Sequence, residues 1–260
     1  MRLLVIAMVL VGAVGCGLPI IGADAQEPHQ DTRRPPPAPR NGPPPAGVDW
    51  GQQVGVQHGV HSQAQAWAAS TSPGDCYSQL AQQGVAFETV PPEQAPGVQM
   101  PLRLQGPVGG VVVGSRTGRP VNEILDCRLA MMLLAWAPTL HQAGVTGIEH
   151  FSMYRPGART ARKHKVSGHA LGLALDAARM RLSNGAVVEV LSDWEEREHG
   201  GAPCPDRPYE AWPSRLLRDV VCDAVARGLF QVVLTPHHDK AHGNHVHLEV
   251  KPDVNWTYVR

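Results

Sequence analysis

Histidine is concentrated near the end of this chain, and that concentration restricts the folds the sequence can adopt. Five of the thirteen histidines lie between His237 and His247. The last two belong to the segment HVHLEV, in which polar and apolar residues alternate as they do in a strand. Alternate residues of a strand face the same side, so we expect His245 and His247 to point in one direction. Two imidazoles on one face suit a metal site or a proton-transfer site.

A second polar group, punctuated by glycine, lies in the middle of the chain. In the segment SGHALGLALD, His169 and Asp176 are seven positions apart, so one regular strand would turn them to opposite faces. Gly168 and Gly172 permit a turn that brings the two side chains together. Two imidazoles and one carboxylate, with one position left to water, are the ligand set of a catalytic zinc. Histidine-rich tracts also occur as loose metal-binding loops, which would not depend on these residues.

The first residues have the features of an export signal. Arg2 precedes the apolar run 3–15, which is too short for a membrane span. Cleavage before Cys16, with lipidation of that cysteine, and ordinary cleavage after residue 25 are both compatible with the sequence. We assign residues 1–25 to the signal. Either route predicts a protein of the periplasm or cell envelope, whose one contact with a membrane would be a lipid on Cys16.

Residues 26–69 are predicted to form a linker before a folded domain at residues 70–260. From residue 27 to residue 49 the chain is rich in proline and poor in residues that can pack, which is typical of a disordered, extended tether. Residues 48–70 can belong to the tether or pack on the domain. The chain has 23 basic and 23 acidic residues, and this balance argues against a nucleic-acid partner.

Four cysteines remain in the folded part, and export makes them candidates for structural disulfides. None of them forms a C-x-x-C motif, which argues against a zinc ribbon or a thioredoxin-like redox site. Four cysteines allow three pairings, and the sequence does not select one. The four are Cys76, Cys127, Cys204 and Cys222.

Hydrophobic periodicity predicts an α+β domain with a small antiparallel sheet packed by helices. The helices are expected at residues 127–143 and 213–227, each followed by a glycine. The segment Ser183-Asn184-Gly185 is the strongest hairpin signal in the chain. It separates strands expected at residues 173–182 and 186–191, and further strands are expected at residues 145–153, 230–234 and 245–250.

The two polar motifs together carry a resemblance to known families. The pattern S-x-H-x-x-G-x-A-x-D, followed near the C-terminus by H-x-x-H-x-H, resembles zinc D-alanyl-D-alanine peptidases and murein endopeptidases of the Hedgehog/DD-peptidase fold. More narrowly, residues 75–250 are similar to the bacterial extensin-like C-terminal domain family. The features that carry this narrower similarity are Asp126-Cys127 before a helix, Tyr154-Arg155, Asp193-Trp194 after the hairpin, Cys222 in the second helix and the histidine-rich strand. The sequence departs from that family at Gly168, where a glutamate is common, and at Met153-Tyr154, where a cysteine is expected.

The resemblance implies one zinc ion per chain, bound by His169, Asp176 and His247. Zinc held by two neutral imidazoles and a carboxylate keeps a net positive charge, which lowers the pKa of a bound water from 15.7 towards about 7. The fold that the resemblance implies is the Hedgehog/DD-peptidase fold.

The resemblance also implies the catalytic residues. His245 would act as the base or stabilise the oxyanion, with His242 assisting it. Arg155 would grip a substrate carboxylate or carbonyl, because a guanidinium can bind a carboxylate bidentately. Arg155 also has an ordinary interpretation as a surface residue before Pro156, and His242 as a structural histidine.

The sequence therefore predicts an exported zinc metallopeptidase of the D-Ala-D-Ala carboxypeptidase or murein endopeptidase type. Its nucleophile would be zinc-activated water, and its substrate the peptide stems or cross-links of peptidoglycan. The alternative is a non-catalytic cell-wall-binding or structural module that keeps the same fold.

Overall fold

The computed structural model describes residues 63–161, 164–195, 202–204 and 211–260. The export signal of residues 1–25, the lipidation site at Cys16 and the proline-rich part of the linker lie outside these residues. The chain is mixed α+β, as predicted.

The described residues form five helices and ten strands, with short 3₁₀ turns between some of them. In chain order these are α1 (Gln63–Ser70), α2 (Pro73–Gln82), β1 (Phe87–Thr89), β2 (Pro101–Leu104), β3 (Val112–Ser115), β4 (Ile124–Asp126), α3 (Cys127–Gln142), β5 (Val145–His150), β6 (Ala174–Leu182), β7 (Val187–Glu189), α4 (Val190–Asp193), α5 (Trp212–Ala226), β8 (Val232–Leu234), β9 (Val246–Glu249) and β10 (Tyr258–Val259).

The sheet that carries the histidine-rich strand is larger than the sequence predicted. It has seven strands, six of them in the order β10-β8-β9-β6-β5-β3, and β7 pairs with β6 to complete the predicted hairpin. The β3/β5 and β10/β8 pairs are parallel, so the sheet is mixed and the prediction of a purely antiparallel sheet was wrong. A separate three-stranded antiparallel sheet has the order β1-β2-β4. The unpredicted strands span only two to four residues, too few to show a period in the sequence.

Helices α3 and α5 provide much of the core beside the larger sheet. Asp126 caps the start of α3 by accepting a hydrogen bond from the backbone N–H of Arg128, and Gly144 ends the helix region with a positive φ of 77°. The buried indole of Trp136 donates to the carbonyl of Val220 on α5 at 2.9 Å. The periodic apolar residues of the two predicted helices therefore face each other, as their spacing indicated. Within the described ranges, no helix has both the length and the apolar character needed to cross a membrane.

The folded region begins before the boundary placed at residue 70. Residues 63–70 form α1, and Ala68 lies in the main core with only 2% of its surface exposed. Part of the segment that the sequence left between tether and domain thus packs on the domain. Residues 63–69, which the sequence placed in the linker of residues 26–69, belong to α1.

Two disulfides join the four cysteines of the folded part. Cys76 of α2 pairs with Cys127 at the start of α3, and Cys204 pairs with Cys222 of α5. The prediction of structural disulfides is confirmed, and the structure selects one of the three pairings. Met153 and Tyr154, where a further cysteine was expected, are both buried.

Candidate metal centre

A 3₁₀ turn and two neighbouring strands bring the central and the C-terminal motifs together. Ser167 begins the turn of residues 168–171 by accepting a hydrogen bond from the N–H of His169. Gly172 ends the turn in the left-handed conformation with φ of 64°, and the chain then enters β6. Asp176 of β6 is the direct antiparallel partner of His247 on β9. The predicted turn between His169 and Asp176 is therefore present, and glycine makes it.

Three atoms that could bind a metal ion converge at the end of this turn. His169 Nε2 lies 2.9 Å from Asp176 Oδ1, His247 Nδ1 lies 3.0 Å from the same oxygen, and the two nitrogens are 3.2 Å apart. A zinc ion with bonds of 2.0–2.1 Å in tetrahedral geometry separates its ligand atoms by about 3.3 Å. The triangle formed by the three atoms thus has nearly the dimensions of one face of such a site.

The outer nitrogen of each histidine has a hydrogen-bond acceptor behind it. His169 Nδ1 donates to the carbonyl oxygen of Met153 at 3.2 Å, and His247 Nε2 donates to Glu249 Oε2 at 3.2 Å. Because each outer nitrogen carries the proton, the inner nitrogen can present its lone pair to the centre. Carboxylates and carbonyls behind ligand histidines orient the rings and raise their basicity in known metal sites.

The cluster is buried and needs a positive charge at its centre. Burial alone would raise the pKa of Asp176, but the imidazoles of His169, His245 and His247 hold it well below its usual range. Burial alone would lower the pKa of His247, but its hydrogen bonds to Asp176 and Glu249 raise it to about 9. Burial lowers the pKa of His169. Either a proton on His247 or a bound cation in its place can balance the buried carboxylate.

His245 lies beside the three potential ligands. It precedes β9 directly, and its Nε2 lies 3.4 Å from Asp176 Oδ1. Its Nδ1 donates to Asn244 Oδ1 at 2.8 Å, which leaves the lone pair on Nε2. Burial lowers the pKa of His245 to about 4, so the ring is neutral at pH 7. A neutral imidazole with its lone pair towards the centre can accept a proton there.

His242 is also close to the cluster, one layer further out. Its ring centroid lies 5.2 Å from that of His245 and 6.1 Å from that of His247. Its Nδ1 pairs with Asp239 Oδ1 at 2.7 Å. The structure therefore places His242 against His245 but holds it through Asp239.

Arg155 flanks the cluster and is partly exposed. Its Nη2 lies 4.0 Å from Asp176 Oδ2, and 39% of its side chain is exposed. Its backbone N–H donates to the carbonyl of His169 at 3.0 Å, which ties the arginine to the 3₁₀ turn. A guanidinium in this position can meet an anionic group that enters from solvent.

Four residues in or near the site give no signal that the sequence analysis recognised. Ser152 donates to Asp176 Oδ2 at 3.3 Å, on the side of the carboxylate away from the histidines. Glu249 supports His247, and Lys251 pairs with Glu249 at 2.7 Å. His150 is fully buried, and neither ring nitrogen has a hydrogen-bond partner in the described part of the chain.

The departure at Gly168 has a structural explanation. A Cβ built on Gly168 would lie 2.5 Å from the carboxyl carbon of Glu249, so the Glu249 carboxylate fills the space that a side chain at 168 would need. A side chain at position 168 would therefore clash with Glu249, which supports His247, and glycine avoids this clash.

Comparison with known protein families identifies a match. The family described as "Extensin-like protein C-terminus" matches residues 74–260, which is most of the chain. No curated protein and no solved structure matches.

Proposed function

The chain belongs to the extensin-like protein C-terminus family, and from this premise we propose that it is an exported zinc-dependent peptidase acting on peptide stems or cross-links of peptidoglycan. The observation that carries the proposal is the triangle of His169 Nε2, Asp176 Oδ1 and His247 Nδ1, whose sides are 2.9, 3.0 and 3.2 Å. The alternative function of a non-catalytic wall-binding module uses the same fold.

The donor set fits zinc better than it fits calcium or magnesium. Imidazole nitrogens suit zinc, whereas the hard alkaline-earth cations prefer oxygen ligands. Three protein ligands, with His245 and Arg155 beside them, are the composition of a catalytic rather than a structural zinc site. Zinc bound there would supply a water that ionises near neutral pH and would polarise a substrate carbonyl. We propose one tightly bound zinc per chain in this centre.

His245 is the proposed base. Its Nε2 faces the centre with a free lone pair, because Nδ1 is committed to Asn244. The ring can take a proton from the attacking water and can then donate towards the leaving group or the developing oxyanion. A positioned acid-base group of this kind contributes roughly a hundredfold or more to the rate. His242 packs beside it, and Asp239 holds the His242 ring in place.

Arg155 is the proposed substrate-binding residue. Its half-exposed guanidinium stands next to Asp176 and opens to solvent, so it can bind the carboxylate or carbonyl of a peptide stem. Ser152 and Arg155 both approach Asp176 Oδ2, and this leaves Oδ1 to the centre. One oxygen of the Asp176 carboxylate thus contacts Ser152 and Arg155, and the other is left to bind the cation.

The relation to zinc D-alanyl-D-alanine peptidases and the Hedgehog/DD-peptidase fold is part of the same proposal. It is supported by the match between the two motifs and the ligand triangle, and by the α+β architecture. Export to the periplasm or cell envelope, with a lipid on Cys16 or after cleavage past residue 25, is proposed from the signal-like N-terminus.

A muropeptide digestion assay tests the proposal. We expect the purified, zinc-loaded protein to release peptide fragments with new amino and carboxyl ends, detected by mass spectrometry. We expect His245→Ala to lower the rate by roughly a hundredfold or more while the tightly bound zinc remains. His141→Gln is a matched control, because it replaces a histidine on α3 whose ring contacts the carbonyl of Gly109, outside the site.

One outcome would separate the two proposed functions, and another would test the assignment of the base. If the wild-type protein binds cell wall but cleaves none of a broad panel of muropeptides, the binding-module function replaces the peptidase. If cleavage occurs and His245→Ala cleaves as fast as the wild type, the assignment of the base is wrong.

A further inference from the structure

A second group of two histidines and one aspartate lies on the loop between β8 and β9. It consists of His238, Asp239 and His242, and one potential ligand atom from each lies within 4.8 Å of the others. The rings of His238 and His242 pack edge to face with centroids 5.2 Å apart. The three residues therefore repeat the composition of the buried centre at a different place on the chain.

Asp239 is fixed in a way that leaves one oxygen available. Its Oδ1 caps the short turn of residues 240–242 by accepting from the backbone N–H of Ala241 at 3.0 Å and of His242 at 3.3 Å. The His242 ring contacts the same oxygen. Its Oδ2 lies 3.6 Å from His238 Nε2. A helix cap needs only Oδ1, so the cap does not account for the position of His238 next to Oδ2.

The group is open to solvent, unlike the buried centre. The side chains of His238, Asp239 and His242 are 25%, 37% and 18% exposed. A cation bound there would keep several water ligands and would interact with the carboxylate through a high local dielectric. We therefore expect weaker binding than at the buried centre.

We propose that His238, Asp239 and His242 form a second, weaker site for a divalent cation of the zinc type. Imidazole and carboxylate ligands in this combination select such a cation over calcium or magnesium. The site shares its wall with the buried centre, because the His242 ring contacts that of His245. The proposed binding site does not depend on the proposed function.

Calorimetric titration of the metal-free protein with Zn²⁺ alone tests the site. We expect two classes of binding in the wild type, one tight and one weaker. His238→Phe should remove the weaker class and keep the tight class. Phenylalanine keeps the edge-to-face packing that His238 makes with Tyr258, at a centroid distance of 6.1 Å, so the fold is preserved. Asp239→Asn should weaken the same class while keeping the cap, because asparagine caps helices as well as aspartate does.

Further variants separate this site from the buried centre. Asp176→Ala should remove the tight class and keep the weaker one. His164→Asn should change neither class; it removes an exposed histidine with φ of 45°, a conformation that asparagine tolerates. An isotherm of His238→Phe identical to that of the wild type would overturn the second site and leave the three residues as a helix cap only. A wild-type isotherm that shows the weaker class and lacks the tight class would instead contradict the buried zinc centre.

Discussion

Two groups in this chain have the same composition, two histidines and one aspartate, and differ in what surrounds them. At the buried centre, His169 and His247 each donate their outer proton to a fixed acceptor, and Asp176 is almost fully enclosed. In the exposed group, His238, Asp239 and His242 lie at the surface, and Asp239 is occupied in capping a turn. We therefore expect burial and the residues behind the potential ligands, and not composition, to determine how strongly each group binds a cation.

The difference follows from the energy of charges in the two surroundings. A carboxylate inside the protein is stable only with a compensating charge, so the buried centre must hold either a proton or a cation. The high pKa of His247, about 9, shows the proton taking that place when no cation does. Asp239 is partly exposed, so water stabilises part of its charge, and a cation there contributes less than at the buried centre.

The largest expected effect comes from replacing the aspartate of each group by asparagine and comparing the two losses of zinc affinity. Asp176→Asn removes a ligand charge from the buried centre, and we expect zinc affinity there to fall by roughly a thousandfold. That fall corresponds to about 4 kcal/mol. Structural zinc sites with several ligands bind the ion with about 10–16 kcal/mol, so this loss is close to the contribution of one ligand. Asp239→Asn should cost the weaker class only about tenfold, because water screens that carboxylate. Competition with a chromophoric zinc chelator measures both. Equal losses in the two regions would show that burial does not control affinity.

The main features of the buried centre were predictable from the sequence. Alternation in HVHLEV placed His245 and His247 on one face, and Gly168 and Gly172 indicated the turn that carries His169 to Asp176. The same alternation puts Glu249 on that face, two residues after His247. It was overlooked because a glutamate near a strand end is usually solvated.

Other parts of the site depend on contacts between distant segments and give no local signal. Ser152 reaches Asp176 because β5 and β6 are adjacent, and the carbonyl of Met153 lies behind His169 for the same reason. A backbone carbonyl carries no residue-type signal at all. Likewise, the two- to four-residue strands that enlarge the sheet are too short for periodicity, and the cysteine pairing depends on how α2, α3 and α5 pack.

The second largest effect concerns a histidine that is buried without a partner among the described residues. Burial, opposed only in part by the charge of Asp176, lowers the pKa of His150 from 6.5 to about 4. The unfolded chain therefore binds a proton between pH 6.5 and 4 that the folded chain does not. The stability that His150 contributes is fully present above pH 6.5 and is lost as the pH falls towards 4. The loss amounts to about 3 kcal/mol.

His150→Leu removes this titration while keeping an apolar side chain in the same space. Between pH 7 and pH 4, we expect the variant to lose about 3 kcal/mol less unfolding free energy than the wild type. Urea denaturation of the chelator-treated protein at several pH values measures the difference. His150→Met should follow His150→Leu. If both variants lose stability as steeply as the wild type, the acid sensitivity of the buried region has another source.

The smallest expected effect concerns Glu249, which supports the proposed ligand His247 but is not itself a ligand. Glu249→Gln keeps a hydrogen-bond acceptor behind His247 Nε2 but removes the negative charge, so His247 becomes a less basic ligand. We expect zinc affinity at the buried centre to fall about 10- to 100-fold, the usual cost of losing a charged residue behind a ligand. The same change lowers the pKa of His247, so fewer protons should be released on zinc binding at pH 7, as titrations in buffers of different ionisation enthalpy can measure. Asp253→Asn, on the exposed turn after β9, is the matched control and should leave both quantities unchanged. Unchanged affinity and proton release in Glu249→Gln would mean that burial alone, without the residues behind the ligands, separates the two groups.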